Sequence, residues 1–186
     1  MSACHDRVGT RSLHTRRRFL EELGGSAAAI AGAGGVSRLH ADGPRGRGLE
    51  IADLLSFIKH AGIRNTLWLT ADLHYTAAHY YDPNRAVFAD FEPFWEFVSG
   101  PLHAGTWTPE PMERTFGPQV VFQKASSKEQ GDNLAPCYGL QFFGHVVIDG
   151  VTETLTVTLK DVADRALWSI TLDPAPPAPA RVTMQL

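Results

Sequence analysis

Two residues that can bind a metal ion, Asp72 and His74, stand two positions apart near the middle of the sequence. They follow Thr66–Thr70, TLWLT, whose apolar centre predicts a short strand covered on both faces. In layered α/β folds, ligands gather outside the carboxyl ends of such strands. A carboxylate oxygen and an imidazole nitrogen are donors that iron, zinc and manganese accept. The position favours a cation site, and the alternative is a turn aspartate beside a packed histidine.

An amphipathic helix is predicted over Leu49–Ala61, just ahead of this strand. Gly62 supplies its stop, and its apolar residues recur at helical spacing: Ile51, Leu54, Leu55 and Ile58. Helix, short loop and strand together form one αβ step of a layered fold. Beyond the strand, we predict a helical turn over Ala77–Tyr81. A short helix is predicted over Pro93–Val98, with the proline in its first turn.

Two further segments lie between these elements and the C-terminal half. Asp90–Gly100, DFEPFWEFVSG, concentrates aromatic residues, and most of them are expected to pack in the core. The alternative is that one of them lines a substrate cleft. Ser99–Met112 is a long loop rich in glycine and proline, and loops of this length are often functional. His103 lies in this loop, either as a surface residue or as a member of the site.

The sequence of the C-terminal half predicts β-structure. Strands are predicted over Gln119–Lys124, Gly139–Ile148, Thr154–Lys160 and Ala166–Leu172. Asp149-Gly150 between the second and third of these is a hairpin signal. The strand ending at Ile148 is apolar on both faces, so we expect it to be central, with His145 in the core. The predicted fold class is α/β (α+β) with a C-terminal antiparallel β-meander.

The two ends of the chain differ in composition from its middle. Thr15–Leu20, TRRRFL, precedes the Ala/Gly-rich stretch Leu23–Val36, and together they have the pattern of a twin-arginine export signal. The alternative is a disordered or mis-translated leader. Residues 1–48 are expected to be signal peptide and linker, largely disordered, and residues 174–186 a Pro-rich tail. The domain itself is expected to span residues 49–173.

Bulk composition excludes several classes of protein. The 186 residues are 44% hydrophobic with a formal net charge of −3, which allows one domain and gives no reason to expect nucleic acid or an anionic membrane as a partner. Two cysteines, Cys4 and Cys137, cannot form a disulfide framework. No apolar run is long enough for a membrane anchor. The motifs of P-loop, dinucleotide-binding and serine-hydrolase sites are absent from the sequence.

Four blocks of sequence resemble, in the same order, the C-terminal part of alkaline phosphatase D, the PhoD-like metallophosphatases. They are WLTADLHYTAAHYYDP, DFEPFWEFVSGPLHAGT, TFGPQVVFQKA and GLQFFGHVVID, within a match from about Ile51 to Leu172. That family hydrolyses phosphate mono- and diesters at a cluster of one iron and calcium ions. The resemblance implies a metal-dependent alkaline phosphatase with part of a metallophosphatase-type β-sandwich flanked by helices.

The same resemblance implies roles for individual residues. Asp72 and His74 become metal ligands, the carboxylate suiting calcium (Ca2+) and the imidazole suiting iron (Fe3+). Tyr75, His79 and His103 are candidates for groups behind the ligands that orient them or the phosphate. No catalytic residue and no site for an organic cofactor is assigned. The expected location is the bacterial periplasm or the outside of the cell.

The chain also departs from the family pattern. The family's other ligands come from an earlier stretch, and none is recognisable between residues 1 and 60. The expectation is therefore a truncated form with part of the metal site. In it, Thr66–Thr70 has an uncovered apolar face and an unpaired edge that a partner chain could complete. Two alternatives stay open: a non-catalytic remnant or accessory module that packs on a partner, and a zinc hydrolase using His74, His79 and His103.

Overall fold

The structure, a computed structural model, describes residues 44–176 as a helix followed by strands in two sheets. Helix α1 spans Pro44–His60. The strands are β1 Leu67–Thr70, β2 Thr76–Tyr81, β3 Phe94–Val98, β4 Pro118–Lys124, β5 Phe142–Ile148, β6 Leu155–Asp161 and β7 Ala166–Leu172. The predicted export signal and the end of the tail lie outside the described residues. In the part that is described, no helix has the length and apolar character needed to cross a membrane.

The first sheet is mixed, with strand order β1-β3-β2-β4. β1 runs parallel to β3, with Leu67 opposite Trp95, whereas β2 is antiparallel to both of its neighbours. Among the described residues β1 therefore has one unpaired edge, as the resemblance implied. Leu69 is 61% exposed, so the covering predicted from the apolar run is wrong, and the uncovered apolar face expected for a truncated form is present.

Two segments predicted to be helical are strands. Ala77–Tyr81 lies within β2, and Pro93–Val98 overlaps β3. In β3, Phe94 packs on one side of the sheet and Phe97 on the other, which is the period-two alternation of a strand. The central position of β2 buries Thr76, Ala77 and Ala78 completely, so sheet pairing outweighs the helical preference of alanine.

The second sheet is an antiparallel meander in the order β5-β6-β7, as predicted. The Asp149 carboxylate accepts hydrogen bonds from the backbone N–H groups of Val151 and Thr152, which stabilises the predicted hairpin between β5 and β6. The expectation that β5 is central is wrong, because β6 takes that place. His145 is consequently exposed on an edge strand rather than buried in the core.

The core lies on both faces of the first sheet. Between the sheets, Ala78 and Phe97 pack against Val157 and Leu159, and the Trp168 ring stacks on Phe122 at a centroid distance of 6.0 Å. On the opposite face, Leu55 of α1 packs with the aromatic residues Phe91 and Phe94. Burying one such leucine contributes about 2 kcal/mol to stability.

Helix α1 begins at Pro44, ahead of the predicted start at Leu49. A proline is favoured in the first turn of a helix because the N–H it lacks would have no partner there. Leu54 and Phe57, 46% and 62% exposed, lie outside the core packing of this helix. The predicted amphipathic pattern is therefore only partly used by the residues that the structure describes.

Candidate metal site

Asp72 and His74 lie on the turn that joins edge strand β1 to central strand β2. His74 adopts a left-handed backbone conformation with φ of 57°, which costs a residue with a Cβ atom about 1 kcal/mol. Its N–H donates to the carbonyl oxygen of Ala71 at 3.3 Å, and its own carbonyl accepts from the N–H of Trp107 at 3.3 Å. These bonds hold the unusual conformation and turn the histidine towards the loop after β3.

The imidazole of His74 is oriented by a backbone carbonyl. Its Nδ1 lies 2.6 Å from the carbonyl oxygen of Gly105. Because a carbonyl oxygen only accepts, Nδ1 carries the proton in this hydrogen bond, and the lone pair of the neutral ring is on Nε2. The imidazole ring also packs beside the Trp107 ring, with 5.8 Å between the two ring centroids. Metal-binding histidines commonly donate their other N–H to such a carbonyl.

The loop that supplies this carbonyl is itself held by residues 132–134. The backbone N–H of Asn133 donates to the Thr106 carbonyl at 2.6 Å, and the Asp132 carboxylate accepts from the Thr108 N–H at 2.6 Å. A Cβ atom on Gly105 would lie 2.1 Å from the Asn133 side-chain oxygen. Only glycine fits at position 105 without moving its neighbours.

The structure brings Asp72 and His74 onto one turn but does not add a third donor from the residues it describes. Within residues 44–176, no group of three or more His, Cys, Asp or Glu could hold a metal ion. The zinc site built from His74, His79 and His103 is therefore wrong, since all three lie in this range. His79 is buried inside the first sheet, whereas His103 is exposed in its loop.

Comparison with known families identifies the family of this chain. A family model described as PhoD-like phosphatase matches residues 16–159. The chain belongs to the PhoD-like phosphatase family. The match includes the Asp72–His74 turn and the loop around Gly105, and it extends into β6. Comparisons with curated proteins and with solved structures find no significant match.

Behind this turn, the PhoD-like chain has a buried cluster centred on Glu96 of β3. Its carboxylate accepts hydrogen bonds from Thr70 Oγ1 at 2.9 Å and from the Tyr81 hydroxyl at 2.8 Å. His79 Nδ1 lies 3.1 Å from the same carboxylate and is the donor, because an ionised carboxylate only accepts. His79 Nε2 has no hydrogen-bond partner among the described residues. The strand register places His79 directly opposite Glu96.

Glu96 is a residue that sequence reasoning missed. A helix over Pro93–Val98 would have pointed its side chain in an unrelated direction. The signal that could have found it is the alternation of Phe94, Glu96 and Val98 on one face of a strand. Even then, its pairing with β2 depends on a long-range register that local pattern does not encode.

The pKa values of Glu96 and Tyr81 move in opposite directions. Burial alone would raise the pKa of Glu96, but the hydrogen bonds from His79, Tyr81 and Thr70 outweigh burial and lower it. Burial raises the pKa of Tyr81, and the Glu96 charge raises it further. The pKa of Tyr75 is raised by the same two causes in the same order. Tyr75, packed beside Ala77 and Val98, therefore holds its proton more tightly than an exposed tyrosine does.

Proposed function

We propose that this PhoD-like chain is a metal-dependent alkaline phosphatase that hydrolyses phosphomonoesters or phosphodiesters, with Asp72 and His74 as metal ligands. The observation that carries the proposal is the hydrogen bond from His74 Nδ1 to the Gly105 carbonyl. It fixes the tautomer in which Nε2 keeps the lone pair that a metal ion needs, on a histidine that follows the carboxyl end of strand β1. Membership of a phosphatase family supports the reaction class.

The chemistry of this donor pair fits the proposed iron and calcium ions. An imidazole nitrogen suits iron, and the carboxylate oxygens of Asp72 suit calcium. When bound, such cations would polarise the phosphoryl oxygens and neutralise the charge that develops on them. Two donors alone hold a cation weakly, so we expect residues 44–176 to exchange metal readily unless further donors complete the site.

The chain's own residues prepare His74 for this role. The Gly105 carbonyl retains the proton on Nδ1 and so leaves Nε2 as the nitrogen that can bind. The Trp107 ring lies against the imidazole and limits its rotation. Tyr75 and His79 are both buried, so neither side chain is placed to contact a substrate in solution. His103 remains a candidate for contact with the phosphate because it is exposed.

Hydrolysis by variants tests the proposal. Turnover of p-nitrophenyl phosphate and bis-p-nitrophenyl phosphate would be measured at alkaline pH with iron and calcium added. Asp72→Ala and His74→Ala should each lower kcat/KM by at least about 100-fold, since losing even the groups behind a ligand costs 10–100-fold. Asp53→Ala, an exposed carboxylate on α1, is the matched control. Equal rates for the wild type and both site variants would eliminate these roles.

We further propose export to the periplasm or beyond, supported by the TRRRFL motif at Thr15–Leu20. A reporter fused behind residues 1–48 should leave the cytoplasm through the twin-arginine route. Replacing Arg16 and Arg17 together by lysine should retain it inside, whereas Arg11→Lys should not. Export that persists in the double variant would contradict the proposal.

A second candidate is a non-catalytic module that packs on a partner chain. It is favoured by the unpaired edge of β1, the exposed Leu69 and the lack of a three-donor group within residues 44–176. A folded protein that binds neither metal and hydrolyses neither ester would support this candidate. Metal-dependent turnover that Asp72→Ala abolishes would count against it.

A further inference from the structure

A cavity of about 690 Å³ lies along the β4 edge of the first sheet, opposite the β1 edge. One wall is strand β4, and the other is the loop Pro109–Met112. Thr108, just before this loop, and Ser126, two residues after β4, have hydroxyl oxygens 3.5 Å apart. We call this cavity the β4 cleft. It is separate from the Asp72–His74 turn, whose residues do not line it.

The β4 cleft exposes the backbone of an edge strand. β4 pairs with β2 on one side only. Within the described part of the chain, residues 118–124 make no backbone hydrogen bonds beyond that pairing. The facing loop contains Pro109 and Pro111, which have no N–H to offer. The outer backbone groups of β4 are therefore available for an added strand, which is a common mode of peptide recognition.

The lining of the β4 cleft is positively charged in an otherwise acidic domain. Residues 44–176 contain ten Lys or Arg and sixteen Asp or Glu. Three of those cations, Arg85, Arg114 and Lys128, line the cleft, against the single carboxylate of Glu110. Arg85 donates to the side chain of Gln119 at 2.5 Å, which holds its guanidinium beside β4. The cleft therefore attracts negative charge, whereas the rest of the domain repels it.

The terminal segments of this chain are not the source of the negative charge that the β4 cleft attracts. Residues 1–43 contain six arginines and four acidic residues, and residues 177–186 contain Arg181 and no acidic residue. A linear polyanion such as polyphosphate would match the cations, but it has no N–H groups to donate to strand carbonyls. Only a peptide can satisfy both the backbone edge and the charge.

We propose that the β4 cleft binds an extended acidic segment of another protein, which adds to the first sheet as a strand beside β4. Peptide N–H and C=O groups pair with the β4 backbone. Acidic side chains at alternate positions meet Arg85, Arg114 and Lys128 in charge-assisted hydrogen bonds. This role is independent of the proposed phosphatase activity, because it uses none of the residues of the Asp72–His74 turn.

Fluorescence anisotropy with synthetic decapeptides tests the charge of the partner. A fluorescein-labelled peptide of alternating Glu and Thr should bind the full chain, more tightly at low salt, and a peptide of alternating Lys and Thr should not. Arg114→Glu should weaken binding at least about tenfold. Arg64→Glu, beside strand β1 at the far edge of the sheet, is the matched control and should change binding less than about twofold. Equal losses in both variants would overturn the proposal.

A backbone-modified peptide tests the added strand. The same Glu/Thr decapeptide methylated on alternate backbone nitrogens keeps its charge but loses the donors of one edge, and it should bind at least about tenfold more weakly. Equal affinity would overturn strand addition, as would binding of polyphosphate in place of the peptide. Circular dichroism confirms that Arg114→Glu is folded. If it is not, Lys128→Glu takes its place with the same expected loss.

Discussion

His74 and His79 lie five positions apart, and each uses its Nδ1 in a hydrogen bond, yet their surroundings differ. His74 lies on a turn and donates to a neutral carbonyl from a loop. His79 lies in a central strand, is fully buried and donates to the Glu96 carboxylate. The comparison teaches that the partner and the element, rather than the residue type, decide whether a histidine is available for chemistry or fixed in the interior.

The largest effect is expected when the hydrogen bonds of buried His79 and its neighbours to Glu96 are removed. Glu96→Ala removes the acceptor shared by Thr70, His79 and Tyr81 and leaves buried donors without partners. We expect the free energy of unfolding to fall by about 3 kcal/mol, since each such group costs about 1–3 kcal/mol. Urea denaturation measures the change. Glu92→Ala, an exposed carboxylate just before β3, is the control, and an equally small effect of both would show that the cluster contributes little.

A smaller effect is expected when the partner of His74 is displaced. Gly105→Ala places a Cβ atom where the Asn133 side chain lies, so the loop must shift and the carbonyl leaves Nδ1. Affinity for added metal should fall about 10–100-fold, as for other groups that orient metal ligands. Isothermal titration measures it, with Gly150→Ala as the control because no atom lies within 4 Å of its added Cβ. Unchanged affinity would mean that the carbonyl does not orient the ring.

The smallest expected effect is the pH dependence of the stability that the buried Glu96 cluster contributes. The folded-state pKa of Glu96 lies below its ordinary value of 4.5, so its ionised form stabilises the fold above that pH, and the stabilisation is lost as pH falls through the folded pKa. Glu96→Gln should therefore be less stable than the wild type at pH 7, by about 1 kcal/mol. The difference should shrink in urea titrations below about pH 4.5. A constant difference at all pH values would contradict this assignment.

The sequence pattern predicted secondary structure correctly where local residue preferences and tertiary packing favour the same structure. The helical spacing of Leu55 and its neighbours predicted α1, and the Asp149-Gly150 turn predicted the hairpin between β5 and β6. It failed at β2 and β3, because Ala77, Ala78 and Pro93 carry local helical signals that sheet pairing overrides. It also misplaced His145, since an apolar strand at a sheet edge has the same composition as a central one.

The candidate site was only partly predictable for a related reason. The end of the TLWLT strand pointed to Asp72 and His74 from their position alone. The Gly105 carbonyl that orients His74 is 31 residues away in the chain, and a backbone acceptor carries no residue-type signal. The Glu96 cluster likewise depends on which strands become neighbours. Contacts between residues far apart in the chain depend on the topology of the fold, which cannot be derived from local patterns in a single sequence.

The raised pKa values of Tyr75 and Tyr81 have a consequence for work in basic solution. Each phenol keeps its proton at pH values where an ordinary tyrosine begins to ionise. Mildly basic solution therefore adds no second negative charge from these two side chains beside Glu96.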